Sequence, residues 1–364
     1  MPIRVGVIGA RYAALVHIPA LTSEGFTVQA ICTRTAQSAQ ETARRFGIPN
    51  ALMDYRALIA RDDVDAVLVA SPPALHAEMA LAVLESGKHL LCEKPFTVTL
   101  EEARALRDAA AARPRVTAMV GHEFRFAPGR AYVGELVREG YLGSLHMALV
   151  RLINGGRFAW VGRAYNGDTD NAEEGGGLLW SQGSHYLDAL MAWFGPIASV
   201  SAYTHVHLGQ RTGPDGAPVQ ASADDAFACT FSFAAGGWAS VVMSQAAALG
   251  DGGRIELYGS AGTLVTPQDA NTPNPPAKGR VLGARVGEKA LAELPVPERY
   301  APFADERDMR MLPTRLLLRE FARGIATGTS PSPNLEDAYQ LERVLVAARE
   351  SAATGRTVTL AHGG

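Results

Sequence analysis

The first 122 residues alternate repeatedly between short apolar runs and patterns that are typical of helices. The predicted strands are the runs Ile3–Ile8, Val28–Cys32, Val64–Ala70, Lys88–Cys92 and Val116–Gly121. The first predicted helix runs from after Gly9 to about Ser23, and the others cover Thr35–Phe46, His76–Ser86 and Leu100–Ala112. Repeated strand-helix units are joined by right-handed crossovers, which make the strands parallel and place helices on both faces. The alternation therefore predicts an α/β domain with a doubly wound parallel sheet.

The fourth predicted strand ends at a charged pair followed by proline, Glu93-Lys94-Pro95. Ligands bind at the carboxyl ends of parallel strands, so Lys94 is predicted to lie at the mouth of a binding crevice. Partial desolvation there would make its ammonium group a usable proton donor. The alternative is that Lys94 is a solvated loop charge paired with Glu93. We favour the catalytic interpretation because other motifs accompany this one.

The turn after the first strand has the sequence Gly9-Ala10-Arg11-Tyr12-Ala13-Ala14. Its position between a strand and a helix is that of the G-x-G-x-x-G/A sequence of a Rossmann dinucleotide-binding domain, although Arg11 replaces the second glycine. Either the Arg11 guanidinium caps the phosphates, or the site has lost its nucleotide. The first interpretation is favoured because the position of the motif is intact. The predicted cofactor-binding residues here are Gly9, Ala10, Arg11, Tyr12 and Ala13.

The end of the second strand indicates which dinucleotide is bound. A carboxylate normally accepts the ribose hydroxyls of NAD at this point, but there is no Asp or Glu between Gly25 and Gln40. Thr33 and Arg34 stand there instead, and a guanidinium beside hydroxyls suits a 2′-phosphate. The alternative is that Arg34 is only a surface residue at a helix start. The sequence therefore favours NADP(H) over NAD(H).

The composition argues against several classes of partner. A formal net charge of -3 over 364 residues gives no electrostatic case for nucleic acid or an anionic membrane. The first residues lead directly into a strand without a signal-peptide pattern, and no apolar span is long enough to cross a membrane. The separated residues Cys32, Cys92 and Cys229 indicate reduced core cysteines rather than disulfides. We expect a cytoplasmic protein that acts on a small molecule.

Residues 123–364 are predicted to form a second domain, because a chain of this length exceeds one hydrophobic core. The first domain then covers residues 1–122. Apolar and polar residues alternate along the predicted strands Ser144–Ile153, Ala198–His207, Asp225–Phe233, Trp238–Gln245 and Arg254–Tyr258. Such alternation is typical of antiparallel strands with one covered face. The pattern predicts an α+β domain with a large, open and mostly antiparallel sheet.

Other segments of the second domain are predicted from turn and helix signals. A hairpin turn is expected at Ala234–Gly237, and surface loops are expected at Gly209–Ser222 and Gln268–Gly279. Helices are predicted over Leu316–Gly324 and over Leu335–Thr354, the second of which has Asn334 as its N-cap.

Together these motifs resemble the Gfo/Idh/MocA family, named after glucose-fructose oxidoreductase, inositol dehydrogenase and MocA, over nearly the whole chain. The residues that carry the resemblance are the turn at Gly9, Val69–Pro73 with His76, Gly87–His89, Glu93–Pro95, Gly175–Gly177, Gly183–His185 and the tail Ser351–Arg356. The resemblance implies an NAD(P)-dependent oxidoreductase that acts on CH–OH or C=O groups. It also implies a homodimer or homotetramer formed through the open sheet face, with the helix 335–354 packed back on the first domain.

The resemblance also implies roles for individual residues. Lys94 is implied to bind the reacting oxygen, and the peptide before Pro95 is implied to be cis. The further cofactor-binding residues are implied to be Ser71, Pro72, His76, Glu93 and Lys94. The substrate-binding residues are implied to be Lys94, Arg125, Trp160, Tyr165, Ser181 and His185. Trp160 and Tyr165 fall in a segment, Asn154–Gly175, that resembles a mobile loop over the active site, and a structural role is the alternative for Arg125.

His185 is the second predicted catalytic residue. The leucines around it suggest an element with one apolar face, on which a histidine could be only a hydrogen-bonded core residue. The resemblance favours an acid-base role with Lys94, which suits a group of near-neutral pKa. Ser181 stands where sugar and inositol dehydrogenases commonly have an aspartate, whereas Asp188 matches the downstream acid. This departure bears on polyol specificity.

Three functions are compatible with these motifs. The favoured one is an NADP-dependent oxidoreductase with a sugar-like or small carbonyl substrate, in which Lys94 and His185 handle the proton. The second is a hydrolytic or eliminating relative that uses NAD transiently, against which Arg34 argues. The third is a catalytically silent nucleotide sensor, favoured by Arg11 and Ser181. No metal is predicted, because His205 and His207 share a strand face without a third ligand.

Overall fold

A computed structural model describes residues 2–268 and 279–360 of the chain. The chain divides into two compact units. The first unit contains the residues up to Glu123 together with Asp305–Glu342. The second contains Phe124–Ala304 together with the residues from Arg343 onwards. The first unit is therefore discontinuous in sequence.

The described residues of the first unit form a parallel sheet of six short strands. These are β1 (Arg4–Ile8), β2 (Thr27–Cys32), β3 (Asn50–Leu52), β4 (Ala66–Val69), β5 (His89–Cys92) and β6 (Ala118–Val120). Their order is β3-β2-β1-β4-β5-β6, and every neighbouring pair is parallel. The chain reverses its direction of winding between β1 and β4, where such sheets bind dinucleotides. This topology confirms the predicted doubly wound α/β sheet.

Helices cover the faces of this sheet and end where the sequence signals predict. A π-helical turn, Ala13–His17, leads into α1 (Ile18–Ser23), and the next helices are α2 (Ala36–Phe46), α3 (Tyr55–Ile59), α4 (His76–Glu85) and α5 (Leu100–Ala111). Thr35 caps α2 by accepting a hydrogen bond from the backbone N–H of Ser38, and Gly47 ends it at a φ of +67°. A left-handed residue after a helix is usually glycine, because other residues have a Cβ that crowds this conformation.

The segment between Gly47 and Val64 contains β3 and α3, which the sequence patterns do not predict. Both elements are too short to give a clear periodicity. Asp54 caps α3, because its Oδ1 accepts a hydrogen bond of 2.8 Å from the backbone N–H of Arg56. The structure thus adds a strand to one edge of the sheet and an acid beside it.

The second unit is built on a larger sheet. Its first helices are α6 (Pro128–Arg138), α7 (Gly167–Asp170) and α8 (Ser184–Phe194). Its strands are β7 (Leu145–Ile153), β8 (Ile197–His205), β9 (Gln210–Thr212), β10 (Pro218–Gln220), β11 (Ala226–Phe233), β12 (Trp238–Ser244), β13 (Gly252–Gly259), β14 (Gly262–Gln268), β15 (Leu282–Arg285), β16 (Ala292–Glu293) and β17 (Val358–Thr359). Nine of these described strands pair in the order β16-β15-β14-β13-β7-β12-β11-β8-β17.

Within this sheet the neighbouring strands are antiparallel except for β7 and β12, which are parallel. The predicted open and mostly antiparallel sheet is therefore confirmed. The predicted hairpin between β11 and β12 is also present, since the Phe233 N–H donates to the Gly237 carbonyl. The expected surface loop at Gly209–Ser222 is wrong, because β9 and β10 pair there as a two-stranded hairpin. Residues 269–278 of the other expected loop lie outside the described residues.

The last two helices are α9 (Met311–Thr327) and α10 (Leu335–Thr354). Asn334 caps α10 as predicted, because its Oδ1 accepts hydrogen bonds from the backbone N–H groups of Glu336 and Asp337. Cys32, Cys92 and Cys229 are buried free thiols. Across residues 2–268 and 279–360, no helix combines the length and the apolar character needed to cross a membrane.

Candidate functional site

Gly9 closes the turn after β1 in a conformation that favours glycine. Its φ is +101°, and a Cβ added there would lie 2.2 Å from the Ala70 carbonyl oxygen. Its N–H donates to the Cys32 carbonyl oxygen at 2.9 Å. The ends of β1, β2 and β4 are thereby held close together, and this close backbone approach is the one that a dinucleotide-binding turn requires.

The residues after Gly9 differ in what they present to solvent. The side chain of Arg11 is exposed, whereas Ala13 is completely buried. The Ala10 carbonyl accepts a hydrogen bond of 2.8 Å from the Ala14 N–H, which begins the first helical turn. Arg11 can therefore contribute a guanidinium to a ligand, while Ala13 contributes packing.

Thr33 and Arg34, which follow β2, differ in their exposure to solvent. Arg34 is exposed, whereas Thr33 is buried. The Thr33 Oγ1 donates its proton to the Thr35 carbonyl at 2.8 Å, and the Thr35 Oγ1 accepts from the Ser38 N–H. Both hydroxyls thus stabilise the turn into α2, and Arg34 is the group most available to a phosphate.

Asp54 is an acid near the end of β2 that sequence reasoning missed. Burial raises the pKa of the Cys32 thiol to about 11, and the charge of Asp54 adds to this effect. Cys32 is the last residue of β2, and the Thr33 N–H donates to the Leu52 carbonyl at 3.1 Å. Sequence reasoning missed Asp54 because it did not predict β3, which brings Asp54 to this edge although Asp54 lies more than forty residues after Gly9.

His76 joins the loops that follow β4 and β5. Its Nε2 lies 2.8 Å from the Ser71 carbonyl oxygen, and its Nδ1 lies 2.8 Å from the Pro95 carbonyl oxygen. Burial lowers the pKa of His76, whereas these two acceptors favour its charged form because a neutral imidazole has only one N–H. The ring therefore holds Ser71 and the Lys94–Pro95 segment together. Pro72 is partly buried beside Ser71.

Lys94 lies directly after β5, and its side chain is partly buried. The Lys94–Pro95 peptide is cis, as the resemblance implied. The backbone N–H of Lys94 donates to Glu93 Oε2 at 3.0 Å. The other Glu93 oxygen, Oε1, lies 2.6 Å from His17 Nε2. Lys94 thus follows a buried carboxylate, Glu93, whose two oxygens are both in polar contacts.

A second carboxyl group, Glu123, lies beside Glu93, and sequence reasoning missed it. Glu123 is buried, and its Oε1 accepts a hydrogen bond of 3.1 Å from the Tyr12 hydroxyl. Burial, and after it the neighbouring charge of Glu93, raise the pKa of Glu123 to about 7, while the charge of Lys94 opposes the shift. No local motif marks this residue, because the parallel strand order brings residues 12, 93 and 123 together.

In the second unit, Gly177 and Asp224 fix the start of the element that carries Ser181 and His185. Gly177 has a φ of +111°, and a Cβ added there would lie 2.2 Å from Asp224 Oδ1. The Leu179 N–H donates to Asp224 Oδ2 at 2.9 Å. Asp224 therefore serves as a cap from another part of the chain, and burial raises its pKa to about 6.

Ser181 and His185 follow on a π-helical turn, Leu179–Gly183, and on α8. The Ser181 hydroxyl donates to the Gly177 carbonyl at 2.6 Å. The His185 ring stacks on Phe124 with ring centroids 3.9 Å apart and is almost fully buried. The leucines around His185 are buried as the pattern suggests, and burial extends to every residue from Ser184 to Leu190.

Arg125 and Asp188 form a bidentate ion pair. Arg125 Nη2 lies 2.5 Å from Asp188 Oδ1, and Arg125 Nε donates to Asp188 Oδ2 at 2.9 Å. The Asp188 side chain is only 3% exposed. The structural alternative for Arg125 therefore has a clear basis, since its guanidinium compensates a buried carboxylate.

Trp160 and Tyr165 lie in a segment with its own internal contacts. The guanidinium groups of Arg157 and Arg163 lie 3.9 and 4.2 Å from the Trp160 ring centroid. The Tyr165 N–H donates to the Thr212 carbonyl at 2.8 Å. Asp170, completely buried, accepts from Arg163 and Arg211 and ties this segment to β9.

His205 and His207 lie close together, with ring centroids 4.4 Å apart. His207 Nδ1 lies 3.0 Å from Asp225 Oδ1. The parts of the chain that the structure describes contain no group of three His, Cys, Asp or Glu side chains arranged to hold a metal ion.

Comparison with known families matches both units of the fold. Residues 3–122 match the family described as "Oxidoreductase family, NAD-binding Rossmann fold". Residues 131–265 match the family described as "GFO/IDH/MocA C-terminal domain". The two matches follow each other along the chain in the order that the sequence resemblance implies.

Individual relatives cover most of the chain. An uncharacterized oxidoreductase of Synechocystis sp. is 34% identical over 334 residues, which are 91% of this chain and 89% of that protein. Levoglucosan dehydrogenase of Pseudarthrobacter phenanthrenivorans is 26% identical over 359 residues, with 89% of this chain and 87% of that protein covered. The crystal structure of an oxidoreductase domain protein from Kribbella flavida superposes with a TM-score of 0.89 at 25% identity, and the whole of both chains is covered.

Proposed function

Because the chain belongs to the Gfo/Idh/MocA family of oxidoreductases, whose first domain is an NAD-binding Rossmann fold, we propose that it transfers hydride between NADP(H) and a sugar-like substrate. The reacting group is a CH–OH group or the corresponding carbonyl. The observation that carries this proposal is the partly buried Lys94 at the carboxyl end of β5, in a sheet whose first turn is built on Gly9. A sugar-like substrate is supported by the name of one relative, levoglucosan dehydrogenase.

The residues of the first unit fit a nicotinamide dinucleotide. Gly9 permits the tight turn after β1 that a dinucleotide-binding fold requires, because a Cβ there would meet the Ala70 backbone. We assign Arg11 to the pyrophosphate and Arg34 to the 2′-phosphate of NADP(H). The remaining proposed contacts are those of Ala10, Tyr12, Ala13, Thr33, Ser71, Pro72, His76, Glu93 and Lys94. When bound, the cofactor supplies the hydride donor or acceptor.

The protein then has to position the substrate and move one proton. In reduction, Lys94 donates a proton to the carbonyl oxygen, and in oxidation it receives the hydroxyl proton. His185 is proposed as its acid-base partner, since imidazole titrates near neutral pH. Arg125, Trp160, Tyr165 and Ser181 are proposed substrate-binding residues, although the ion pair of Arg125 with Asp188 adds a structural role.

The proposed activity is tested by incubating the purified protein with NADPH or NADP⁺ and a panel of aldoses, ketoses, diketones and polyols, while the nicotinamide absorbance is followed. We expect turnover with at least one sugar-like compound. NADP(H) binding without turnover of any compound would instead identify a nucleotide sensor. Release of a glycoside's leaving group without net change in the cofactor would identify a hydrolytic relative.

Cofactor preference is tested at Arg34. The Arg34→Ala variant is expected to bind NADP(H) about 10 to 100 times more weakly and NAD(H) almost unchanged, because a hydrogen bond to a charged group contributes about 1.5 to 3 kcal/mol. Arg44→Ala removes another exposed arginine from α2 and is expected to change neither affinity. Fluorescence titration measures the affinities of each variant for NADP(H) and for NAD(H). If Arg34→Ala weakened the binding of NADP(H) and NAD(H) equally, the proposed preference for NADP(H) would be wrong. Asp54, the acid near the end of β2, would then be the next residue to test.

We further propose that the protein is a cytoplasmic homodimer or homotetramer, formed through the open face of the large sheet. Three exposed residues, Tyr203, Ala228 and Val242, lie side by side on β8, β11 and β12. Two of them are large and apolar, with 65% of Tyr203 and 40% of Val242 exposed. A contiguous apolar strip of this kind favours contact with another protein surface. Free buried cysteines agree with a reducing compartment.

This association is tested by placing a charge in the strip. The Val242→Asp variant is expected to reduce the mass measured by light scattering after gel filtration, because an interface would have to bury an unpaired carboxylate. The matched control is Val286→Asp, since Val286 is 73% exposed in the segment that follows β15. An unchanged mass for Val242→Asp would argue against this face as the interface.

A further inference from the structure

We propose that Glu123 stores a proton for Lys94, so that the buried carboxyl group returns to Lys94 the proton that the lysine gives to the substrate. This inference rests on the proposed function through the role of Lys94. It adds to that function a residue, Glu123, that lies outside the Glu93-Lys94-Pro95 motif. The proposal depends on the unequal surroundings of two neighbouring carboxyl groups, Glu93 and Glu123.

Glu93 is the member of the pair that is stabilised as a carboxylate. Its Oε1 lies 2.6 Å from His17 Nε2, and its Oε2 accepts the backbone N–H of Lys94 at 3.0 Å. Burial alone would raise the pKa of Glu93, but the hydrogen bond from His17 and the charge of Lys94 hold it below its ordinary value. Both oxygens of Glu93 are therefore engaged in contacts that favour its charged form.

Glu123 has the opposite surroundings. Its Oε1 accepts one hydrogen bond, from the Tyr12 hydroxyl, whereas its Oε2 is buried without a hydrogen-bond partner among the described residues. A buried carboxylate with an unsatisfied oxygen is costly, and the negative charge of Glu93 adds to that cost. A proton on Glu123 neutralises the group, which removes the repulsion by Glu93 and lowers the cost of burying the unsatisfied oxygen. The pKa of Glu123 is raised to about 7 for these reasons, with burial the largest cause.

The groups that face Glu123 come from four parts of the first unit. Tyr12 and His17 belong to the first helical turns, Glu93 and Lys94 follow β5, and His122 precedes Glu123 in the chain. Arg310 lies before α9, where its guanidinium stands 5.2 Å from the Tyr12 ring centroid and is affected by the charge of Glu123. The charges of Lys94 and His17 oppose the effects of burial and of Glu93, and the pKa of Glu123 is still raised to about 7.

The proton balance of the proposed step is simple. In reduction, the Lys94 ammonium loses a proton to the substrate oxygen and becomes an amine. The Glu123 carboxyl group then loses its proton to that amine, which restores the ammonium and leaves a carboxylate. Transfer in this direction is favourable because a lysine amine is ordinarily a far stronger base than a carboxylate. Oxidation runs through the same steps in reverse, and Glu123 exchanges its proton with solvent between turnovers.

The proton on Glu123 can be observed without a substrate. The infrared difference spectrum between the wild type and Glu123→Gln isolates the C=O band of one protonated carboxyl group, and its intensity is followed against pH. We expect a midpoint near pH 7. Glu85→Gln, which alters an exposed carboxyl group of α4, is the matched control and should leave the band assigned to Glu123 unchanged. A midpoint between pH 4 and 5 in the wild type would overturn the proposal.

The electrostatic coupling between Glu123 and Lys94 is measured with the same C=O band of Glu123. The ammonium lowers the pKa of Glu123, so Lys94→Ala should move the midpoint to higher pH by an easily measured shift. Tyr12→Phe should move it in the same direction, because it removes a hydrogen bond to the charged form. These variants retain the carboxyl group, so the spectrum of each can be subtracted from that of the wild type as a function of pH, and a shifted midpoint is then visible even if Glu123→Gln does not fold. No shift in Lys94→Ala would overturn the proposal, even if no substrate is known.

Measurements of turnover distinguish a proton-storing role of Glu123 from a structural one. With a substrate from the panel, the pH profile of kcat/KM should have a limb near pH 7 that is lost in Glu123→Gln, while NADP(H) affinity is unchanged. Glu123→Asp should restore that limb at a shifted pH. A titrating band together with superimposable pH profiles would reduce Glu123 to a structural acceptor for Tyr12 and would overturn the proton-storing role. Failure of every substrate would count against the proposed function alone.

Discussion

Replacement of Lys94 by alanine is expected to lower kcat by about 100-fold or more, since general acid-base steps typically contribute factors of 10² to 10⁴. The ammonium group acts on the substrate oxygen as its charge changes, so most of its contribution belongs to the transition state. NADP(H) affinity should change much less than kcat, because Lys94 is only one of many proposed contacts with the cofactor. Steady-state kinetics with the best substrate and cofactor titration measure the two effects separately.

The control for this variant is Lys289→Ala, which removes an exposed lysine from the second unit and should leave kcat unchanged. Thermal unfolding of both variants shows whether any loss of rate comes from loss of structure. If Lys94→Ala retained more than about a tenth of the wild-type rate, the assignment of Lys94 as the proton donor would be wrong, because an acid-base residue contributes far more.

Replacement of Arg125 by alanine is expected to lower the free energy of unfolding by about 3 to 5 kcal/mol, because it breaks a bidentate ion pair with a buried carboxylate. Asp188 is 3% exposed and is bound through both oxygens, at 2.5 and 2.9 Å. Urea unfolding monitored by circular dichroism gives the value. Arg138→Ala, which removes an exposed arginine from α6, should change it by no more than about 0.5 kcal/mol.

The double variant Arg125→Ala with Asp188→Asn distinguishes a lost ion pair from lost packing. Asparagine has almost the same shape as aspartate but carries no charge, so the double variant should regain part of the lost stability. If it were no more stable than Arg125→Ala alone, the cost would come from the missing arginine side chain. A variant that kept full stability but lost substrate affinity would restore Arg125 to a purely substrate-binding role.

The sheet of the first unit was largely predictable because its signals are local. Thr35 and Gly47 mark the two ends of α2 by their own chemistry, and β5 is a continuous apolar run before Glu93. β3 was missed because three residues give no measurable period. The hairpin of β9 and β10 was missed because its residues carry the glycines and prolines that are typical of loops.

The candidate site was predictable only where a motif names a residue. Gly9 and Lys94 stand at strand ends, so their positions follow from the order of elements. The pairing of Glu123 with Tyr12 spans 111 residues, and no pattern in either segment announces it. Asp224 is similar, because its contact with the Leu179 N–H depends on a close approach that Gly177 permits. Such groups are found only when the tertiary structure is known.

The discontinuity of the first unit has a consequence for how the chain is made on the ribosome. The outer strand β6 is completed by residues from the far end of the sequence: the Val120 N–H donates to the Pro333 carbonyl at 3.0 Å, and Thr117 Oγ1 donates to the Thr329 carbonyl at 3.0 Å. The ring of Phe26 likewise stacks on the ring of Phe321, which is synthesised much later.

These late partners are synthesised long after the strands that need them. Between residues 123 and 342 the ribosome adds 219 residues, which takes roughly 10 to 45 seconds at about 5 to 20 residues per second. During that interval the nascent nucleotide-binding sheet has an incomplete edge and an uncovered aromatic ring. The second unit therefore has time to emerge almost entirely before the first can finish folding, and premature termination within α9 would leave the cofactor domain unfinished even though every strand of its sheet had been made.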